Sequence, residues 1–264
     1  MKYEFGFLGT GNMGSALVKA FSLALEPTKI LIYDHNKTKT EQLKTELGVC
    51  VSDNEIDLVS SCKFLVLGIK PQMLDTVAEI IAPTIKNSSV KIISMLASVS
   101  IERLASVFGE REFVRIMPNT PVSLCEGVVL YSTKCSKDSE ETFVSAFAKA
   151  GKVVKIDEKD MDGGMSVSGC GPAFVYMFID AMAKAGEKLG LDKATALALA
   201  TQTVKGSAMM VEEYGNPDQL KINVCSPGGT TIEGVKSLEN DGLERTVENA
   251  LKASFDKAKI LAKK

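Results

Sequence analysis

Two short stretches of this chain hold residues whose types and spacing could do chemistry. Gly9-Thr10-Gly11-Asn12-Met13-Gly14 follows an apolar run at 2–8 and precedes helical spacing at Leu17, Phe21 and Leu25. Strand, glycine turn and helix start thus fall in the order that cradles a pyrophosphate. Gly9 permits the tight turn, Gly11 lets backbone N–H groups approach a phosphate, and Gly14 lets the helix lie near the strand. The positive end of the helix dipole adds to those N–H groups. Residues 29–33 read as a second buried strand, and Asp34 stands at its end, about twenty positions past Gly14, where a carboxylate accepts the ribose hydroxyls of NAD. The second stretch is Ser226-Pro227-Gly228-Gly229-Thr230-Thr231. Serine caps helices and proline suits their first turn, while two glycines expose N–H groups and two threonines add hydroxyls. Together they make a small anion cradle suited to a carboxylate. Taken alone, a plain Ser-Pro cap explains the stretch equally well.

The elements that must position these residues follow from periodicity. Residues 63–69 form a nearly continuous apolar run, as expected of a central parallel strand covered on both faces. Further strands are expected at 49–51, 90–96, 112–117, 127–132 and 152–156, with helices near 38–47, 54–60, 73–81, 101–108 and 139–150. The alternation predicts a Rossmann-like, doubly wound parallel sheet in an α/β domain spanning 1–158. Ligands of such sheets bind at the carboxyl ends of the strands. The expected cofactor edge therefore holds Gly9, Thr10, Gly11, Asn12, Met13 and Gly14, then Asp34, His35 and Asn54, and also Gly68, Ile69, Lys70, Pro71, Ala97 and Asn119.

From about Asp160 the strand signal stops, and residues 159–264 read as all-helical. Helical spacing covers 161–189 with a break at 168–172, then 193–214, 216–223, 230–240 and 243–263. Phe174, Val175, Phe178, Ile179, Met182 and Leu189 cover more than one face of their helix, and a helix apolar on several sides is buried on several sides. In so short a domain this points to a second subunit. Along the closing helix Leu243, Val247, Leu251, Phe255 and Ala258 form a stripe expected to be core, with lysines at its end where they suit the dipole.

Composition sets the exclusions. The chain has 264 residues, 45% hydrophobic and 24% charged, with a formal net charge of −2, so nucleic acid is an unexpected partner. No charged-then-apolar leader pattern opens the chain and no apolar run is long enough to cross a bilayer, so a cytoplasmic protein is expected. Six cysteines lack any C-x-x-C spacing, which argues for free thiols and against a metal site. The single histidine, His35, sits beside the expected adenosine ribose as a solvated loop residue, so hydride chemistry must proceed without a histidine acid.

Ser226–Thr231, with Leu220–Val224 before it and 232–239 after it, closely resembles the signature segment of pyrroline-5-carboxylate reductases. Val167-Ser168-Gly169-Cys170-Gly171-Pro172-Ala173 resembles their interdomain helix motif, and Phe7–Gly14, Lys70-Pro71 and Met117-Pro118-Asn119-Thr120-Pro121 match in the same order. The resemblance spans essentially the full length. It implies NADPH- or NADH-dependent reduction of the cyclic imine L-1-pyrroline-5-carboxylate to L-proline, the last step of proline biosynthesis. It also implies a C-terminal domain that intertwines into a homodimer, often assembled into a decamer. Ser226, Gly228, Gly229, Thr230 and Thr231, with Asn223 nearby, would grip the substrate. Thr231 would bond the ring nitrogen, and Lys70 would lie by the nicotinamide ribose.

One departure bears on the cofactor. Many members place Asn-Arg or similar residues after the second strand, whereas this chain has Asp34-His35-Asn36-Lys37. A carboxylate there repels a 2′-phosphate, so NADH is expected to be preferred or well used. Two rivals share the plan: a β-hydroxyacid or 6-phosphogluconate-type dehydrogenase, and a non-catalytic NAD(P)H-binding dimeric regulator. The first needs a catalytic lysine in its second domain, but Lys205 lacks the flanking pattern. The second is expected to lose the Ser226–Thr231 cradle, which is intact.

Overall fold

The structure, a computed structural model, describes residues 1–262. The first part of the chain runs β1 (Tyr3–Leu8), α1 (Asn12–Ala24), β2 (Ile30–Tyr33), α2 (Lys37–Leu47), β3 (Cys50–Val51), α3 (Glu55–Ser61) and β4 (Cys62–Leu67). It continues through α4 (Leu74–Lys86), β5 (Lys91–Ser94), α5 (Ile101–Phe108), β6 (Phe113–Pro118), β7 (Gly127–Lys134), α6 (Lys137–Phe147), β8 (Gly151–Lys155) and α7 (Met161–Ser168). Then come α8 (Gly171–Lys188), α9 (Lys193–Tyr214), α10 (Pro217–Val224), α11 (Thr230–Asn240) and α12 (Leu243–Ala262).

Eight strands form one sheet in the order β3-β2-β1-β4-β5-β6-β7-β8. Side chains alternate across it. Phe64 and Val66 of β4 join the cluster under α1 and α6, while Leu65 and Leu67 join the one under α3, α4 and α5. Both faces are covered, so β4 has no polar alternation. On the α1 face, Phe21 packs edge-on against Phe5, Phe7 and Phe147, with ring centroids 4.8, 5.2 and 4.5 Å away.

The sheet is not wholly parallel, which corrects the expectation: β6 and β7 pair antiparallel, Phe113 opposite Lys134 and Pro118 opposite Val129. The link from Pro118 to Gly127 is a short 3₁₀ turn over Thr120–Leu124, and a parallel return needs a crossover of a dozen or more residues. From β7 the chain crosses through α6, and β8 returns parallel to β7.

The chain divides into two compact units, Met1–Cys170 with the residues from Phe255 onward, and Gly171–Ser254. The sequence division at 158/159 marks the end of the strands, since β8 stops at Lys155. α7 packs with the sheet, its buried Met161 against Met117 and Leu130.

The second unit has little core of its own. Among the described residues its buried apolar cluster is Ala183, Ala196 and Ala200, with Ile179 and Met182 packed on it. Val175, Phe178 and Leu189, expected to be buried on several sides, are 44%, 45% and 87% exposed in the single chain. The α12 stripe departs from expectation in the same way. Leu243 and Val247 are exposed and only Ala258 is buried. Lys263 and Lys264 lie outside the described residues.

Candidate functional site

The glycine turn is built by close backbone approach. The Gly9 N–H donates to the Tyr33 carbonyl at 2.8 Å, and the Gly68 N–H donates to the Leu8 carbonyl at 2.8 Å, which locks the ends of β1, β2 and β4 together. Gly9 takes φ +100, where a Cβ would stand 2.7 Å from the Gly68 carbonyl oxygen. A Cβ on Gly14 would run into the Gly9 carbonyl. A Cβ on Gly11 would meet nothing within 4 Å: the space beside it is open. Gly11 is also the N-cap of α1 and supplies no side-chain cap, so the first N–H groups of α1 keep their donors for an anion. The turn therefore fits a pyrophosphate.

Not every residue of the expected cofactor edge keeps its side chain for a ligand. The Thr10 N–H donates to Asp34 Oδ2 at 2.7 Å and its hydroxyl donates to the same oxygen at 3.1 Å, while its carbonyl accepts from the Ser15 hydroxyl. Thr10 is fully buried and acts as a brace. Asp34 Oδ1 accepts from the Asn36 N–H at 2.9 Å. Burial alone would raise the Asp34 carboxyl. The bonds from Asn36 and Thr10 and the charge of Lys39 outweigh it and hold the carboxyl below its ordinary value. Asn54 caps α3, accepting from the Asp57 N–H at 2.9 Å and donating to the Asp57 carboxylate. Asn119 donates to the Ser168 carbonyl at 2.9 Å and accepts from the Val128 N–H at 2.8 Å, tying the end of β6 to α7 and β7.

Asn12 and Ala97 are exposed and Met13, Gly68 and Ile69 half-buried. Lys70 and Pro71 are exposed where β4 ends, and the Lys70 carbonyl accepts from the Met73 N–H. His35 is exposed, its Nε2 3.7 Å from Oε1 of the buried Glu55. Glu55 escaped the sequence reading, because a single acid at a helix start carries no periodic signal.

In the second unit, Gly229 caps α11 without a side-chain bond and its N–H donates to the Ser226 carbonyl at 3.0 Å. Gly228 takes φ +69 and turns the chain into the helix, while a Cβ on Gly229 would strike the Ser226 hydroxyl. Thr230 and Thr231 are the first two residues of α11, where backbone N–H groups have no partner within the helix. Ser226, Gly228, Thr230 and Thr231 are exposed. Glu233, an acid in this first turn, is paired with Lys236 at 2.8 Å, which offsets its charge toward an incoming anion. Asn223 accepts from the Gln219 amide at 2.9 Å. Lys205 is exposed in α9. Among the described residues no group of three or more metal-ligating side chains occurs, and no helix is long and apolar enough to cross a membrane.

Known proteins resemble this chain over nearly its full length. Residues 158–261 match the family described as pyrroline-5-carboxylate reductase dimerisation, and residues 4–98 match the family described as NADP oxidoreductase, coenzyme F420-dependent. A pyrroline-5-carboxylate reductase of Glycine max is 34% identical over 265 residues, covering 98% of this chain and 96% of the relative. The crystal structure of the Plasmodium falciparum pyrroline carboxylate reductase with NADP bound aligns with a TM-score of 0.88 at 33% identity, covering 98% of each chain. A structure of a Coxiella burnetii pyrroline-5-carboxylate reductase aligns with a TM-score of 0.93 at 29% identity, covering 99% of each chain.

Proposed function

The chain belongs to the pyrroline-5-carboxylate reductase family, and from that premise we propose that it reduces L-1-pyrroline-5-carboxylate to L-proline, the last step of proline biosynthesis. One observation carries the reading beyond the family's name. Two helix starts, at Gly11 and at Gly229, lack side-chain caps and are entered through a positive-φ glycine. One suits a pyrophosphate and the other a carboxylate.

A bound reduced nicotinamide dinucleotide supplies the hydride. The residues of the chain bind and orient. Gly9–Gly14 hold the phosphates, Asp34 and His35 lie at the adenosine ribose, and Lys70 lies at the nicotinamide ribose. Ser226, Gly228, Gly229 and Thr230 hold the substrate carboxylate, with Asn223 nearby. A cyclic imine is basic enough to enter protonated, and its N–H then donates to the Thr231 hydroxyl oxygen. The iminium carbon accepts hydride without a strong enzyme acid, which suits a chain whose single histidine stands at the end of β2. The rate then rests mainly on orientation.

NADH is preferred or at least well used. The Asp34 carboxylate, held ionised by Thr10 and Asn36, repels a 2′-phosphate. Lys37 is drawn aside, its Nζ donating to the Asp53 carbonyl at 3.1 Å and lying over the Tyr33 ring. The Plasmodium falciparum relative, solved with NADP, supplies the alternative to be tested. Residues 159–264 form the substrate-binding and dimerisation domain, and Val175, Met177 and Leu189 are the apolar side chains that a second copy covers. Dimers of this kind can assemble further into a decamer. The free cysteines fit a reducing cytoplasm.

The test is oxidation of NADH and NADPH with L-1-pyrroline-5-carboxylate, with proline identified as the product, on wild type and Thr231→Ala. Turnover is expected with both cofactors. A kcat/KM more than tenfold higher with NADPH would remove the reading of Asp34. An unchanged Thr231→Ala would remove Thr231 from the mechanism, and no imine turnover at all would leave the dehydrogenase and regulator readings.

A further inference from the structure

One side chain of the glycine turn is withdrawn from any ligand. Thr10 is fully buried, and its N–H, hydroxyl and carbonyl are all bonded within the protein. Two of those groups converge on one atom. The N–H at 2.7 Å and the hydroxyl at 3.1 Å both donate to Oδ2 of Asp34, 24 positions away. The carbonyl accepts from the Ser15 hydroxyl at 2.7 Å, which ties Thr10 to the first turn of α1. On its other side, the Gly9 N–H is held by the Tyr33 carbonyl. Thr10 is therefore fixed at both ends and cannot follow Asp34 if the carboxylate moves.

A carboxylate offers about four acceptor sites on its two oxygens. In Asp34 both sites of Oδ2 are taken by Thr10, and one site of Oδ1 by the Asn36 N–H at 2.9 Å. One acceptor site is left, on Oδ1. In a dinucleotide-binding unit the acid at the end of the second strand meets the adenosine ribose, which has two hydroxyls in NADH and a 2′-phosphate in NADPH. A carboxylate without these bonds could accept both hydroxyls. Asp34 can accept one, and to give way to a 2′-phosphate it must first break its bonds to Thr10. Such bonds to an ionised acceptor are the strong ones.

We infer that Thr10 is the positioning residue that sets cofactor choice: it holds Oδ2 against the turn, so that Asp34 reads a single ribose hydroxyl through Oδ1 and cannot swing clear of a 2′-phosphate. The inference rests on the cofactor reading above and deepens it.

The test measures Kd by nicotinamide fluorescence, without imine, for NADH, NADPH and two NADH analogues that lack the 2′- or the 3′-hydroxyl of the adenosine ribose. It compares wild type, Thr10→Val, Thr10→Ser and Asp34→Ala. Valine keeps the backbone donor and the branched shape but loses the hydroxyl, whereas serine keeps the hydroxyl. Thr10→Val should tighten NADPH relative to NADH by about fivefold, the size of one unit charge acting at about 4 Å in water, and Thr10→Ser should keep the wild-type ratio. An unchanged ratio in Thr10→Val, which a merely structural role predicts, or one moved toward NADH would overturn the inference. The analogues test it on the wild-type protein, whatever the stability of the variant. One of the two should bind about tenfold or more weaker than NADH, as for a lost bond to a charged acceptor, and that loss should vanish in Asp34→Ala. Losses from both analogues that vanish in Asp34→Ala would overturn the inference and leave the cofactor reading standing. No loss from either analogue, or binding of neither dinucleotide, would overturn the cofactor reading and this inference with it.

Discussion

The two compact units bury their apolar residues differently. The sheet unit closes on itself, with Phe5, Phe7, Phe21, Phe143 and Phe147 all fully buried. In the helical unit, among the described residues, only Ala183, Ala196 and Ala200 are buried, while Met177, Leu189, Tyr214 and Val224 are more than half exposed. Burying one large apolar side chain contributes about 1.5–3 kcal/mol. The first unit draws its stability from its own chain, and the second must draw much of it from association. The difference also separates their sites. The glycine turn lies where β1, β2 and β4 end, and the proposed carboxylate cradle lies at the start of α11.

The contrast can be broken or sharpened by substitution. The largest effect is expected from Gly14→Leu, whose side chain meets the Gly9 carbonyl: dinucleotide binding should be lost, as read by nicotinamide fluorescence. Next, Thr231→Ala should lower kcat/KM for the imine by about 10- to 150-fold, the equivalent of roughly 1.5–3 kcal/mol for a bond to a charged group, while NADH still binds. Met177→Glu should shift the protein from oligomer to monomer by light scattering and lower its melting temperature. The wild-type melting temperature should depend on protein concentration. A monomer that melts like wild type would erase the contrast.

Smaller effects belong to the sheet unit and should not depend on concentration. Asn119→Ala leaves the Val128 N–H without its side-chain acceptor and removes the donor to Ser168, so a loss of about 1–3 kcal/mol is expected from urea unfolding. The smallest is set by pH. Because the folded-state pKa of Asp34 is depressed, its contribution is present above the ordinary carboxylate range and fades as pH falls through the lower folded value. The stability gap between wild type and Asp34→Asn should therefore be widest near neutral pH and should narrow toward pH 3. A gap that widens on acidification would contradict the bonding drawn for Asp34.

Much of this was legible in the chain. Apolar runs and glycine spacing located the strands, and α5, α9 and α11 begin and end where the periodicity puts them. Local chemistry carries such signals: Gly48 ends α2 in the left-handed region because a helix C-terminus favours glycine there. What was illegible is long-range. The antiparallel β7 is the exception: the short gap between the expected strands at 112–117 and 127–132 was legible, but the parallel alternation was extended across it. That Thr10 braces Asp34, or that Asn119 reaches Ser168, is a matter of side-chain geometry across 24 and 49 positions. The α12 stripe reads as core because periodicity reports which face is apolar, and says nothing of what covers it.

The most direct test of the central claim, that each opened helix start receives its own anion, is a crystal of the protein soaked with NADH and L-proline. The account predicts the dinucleotide pyrophosphate on residues 9–14 and the proline carboxylate on residues 226–231. Proline bound away from residues 223–231 would contradict it.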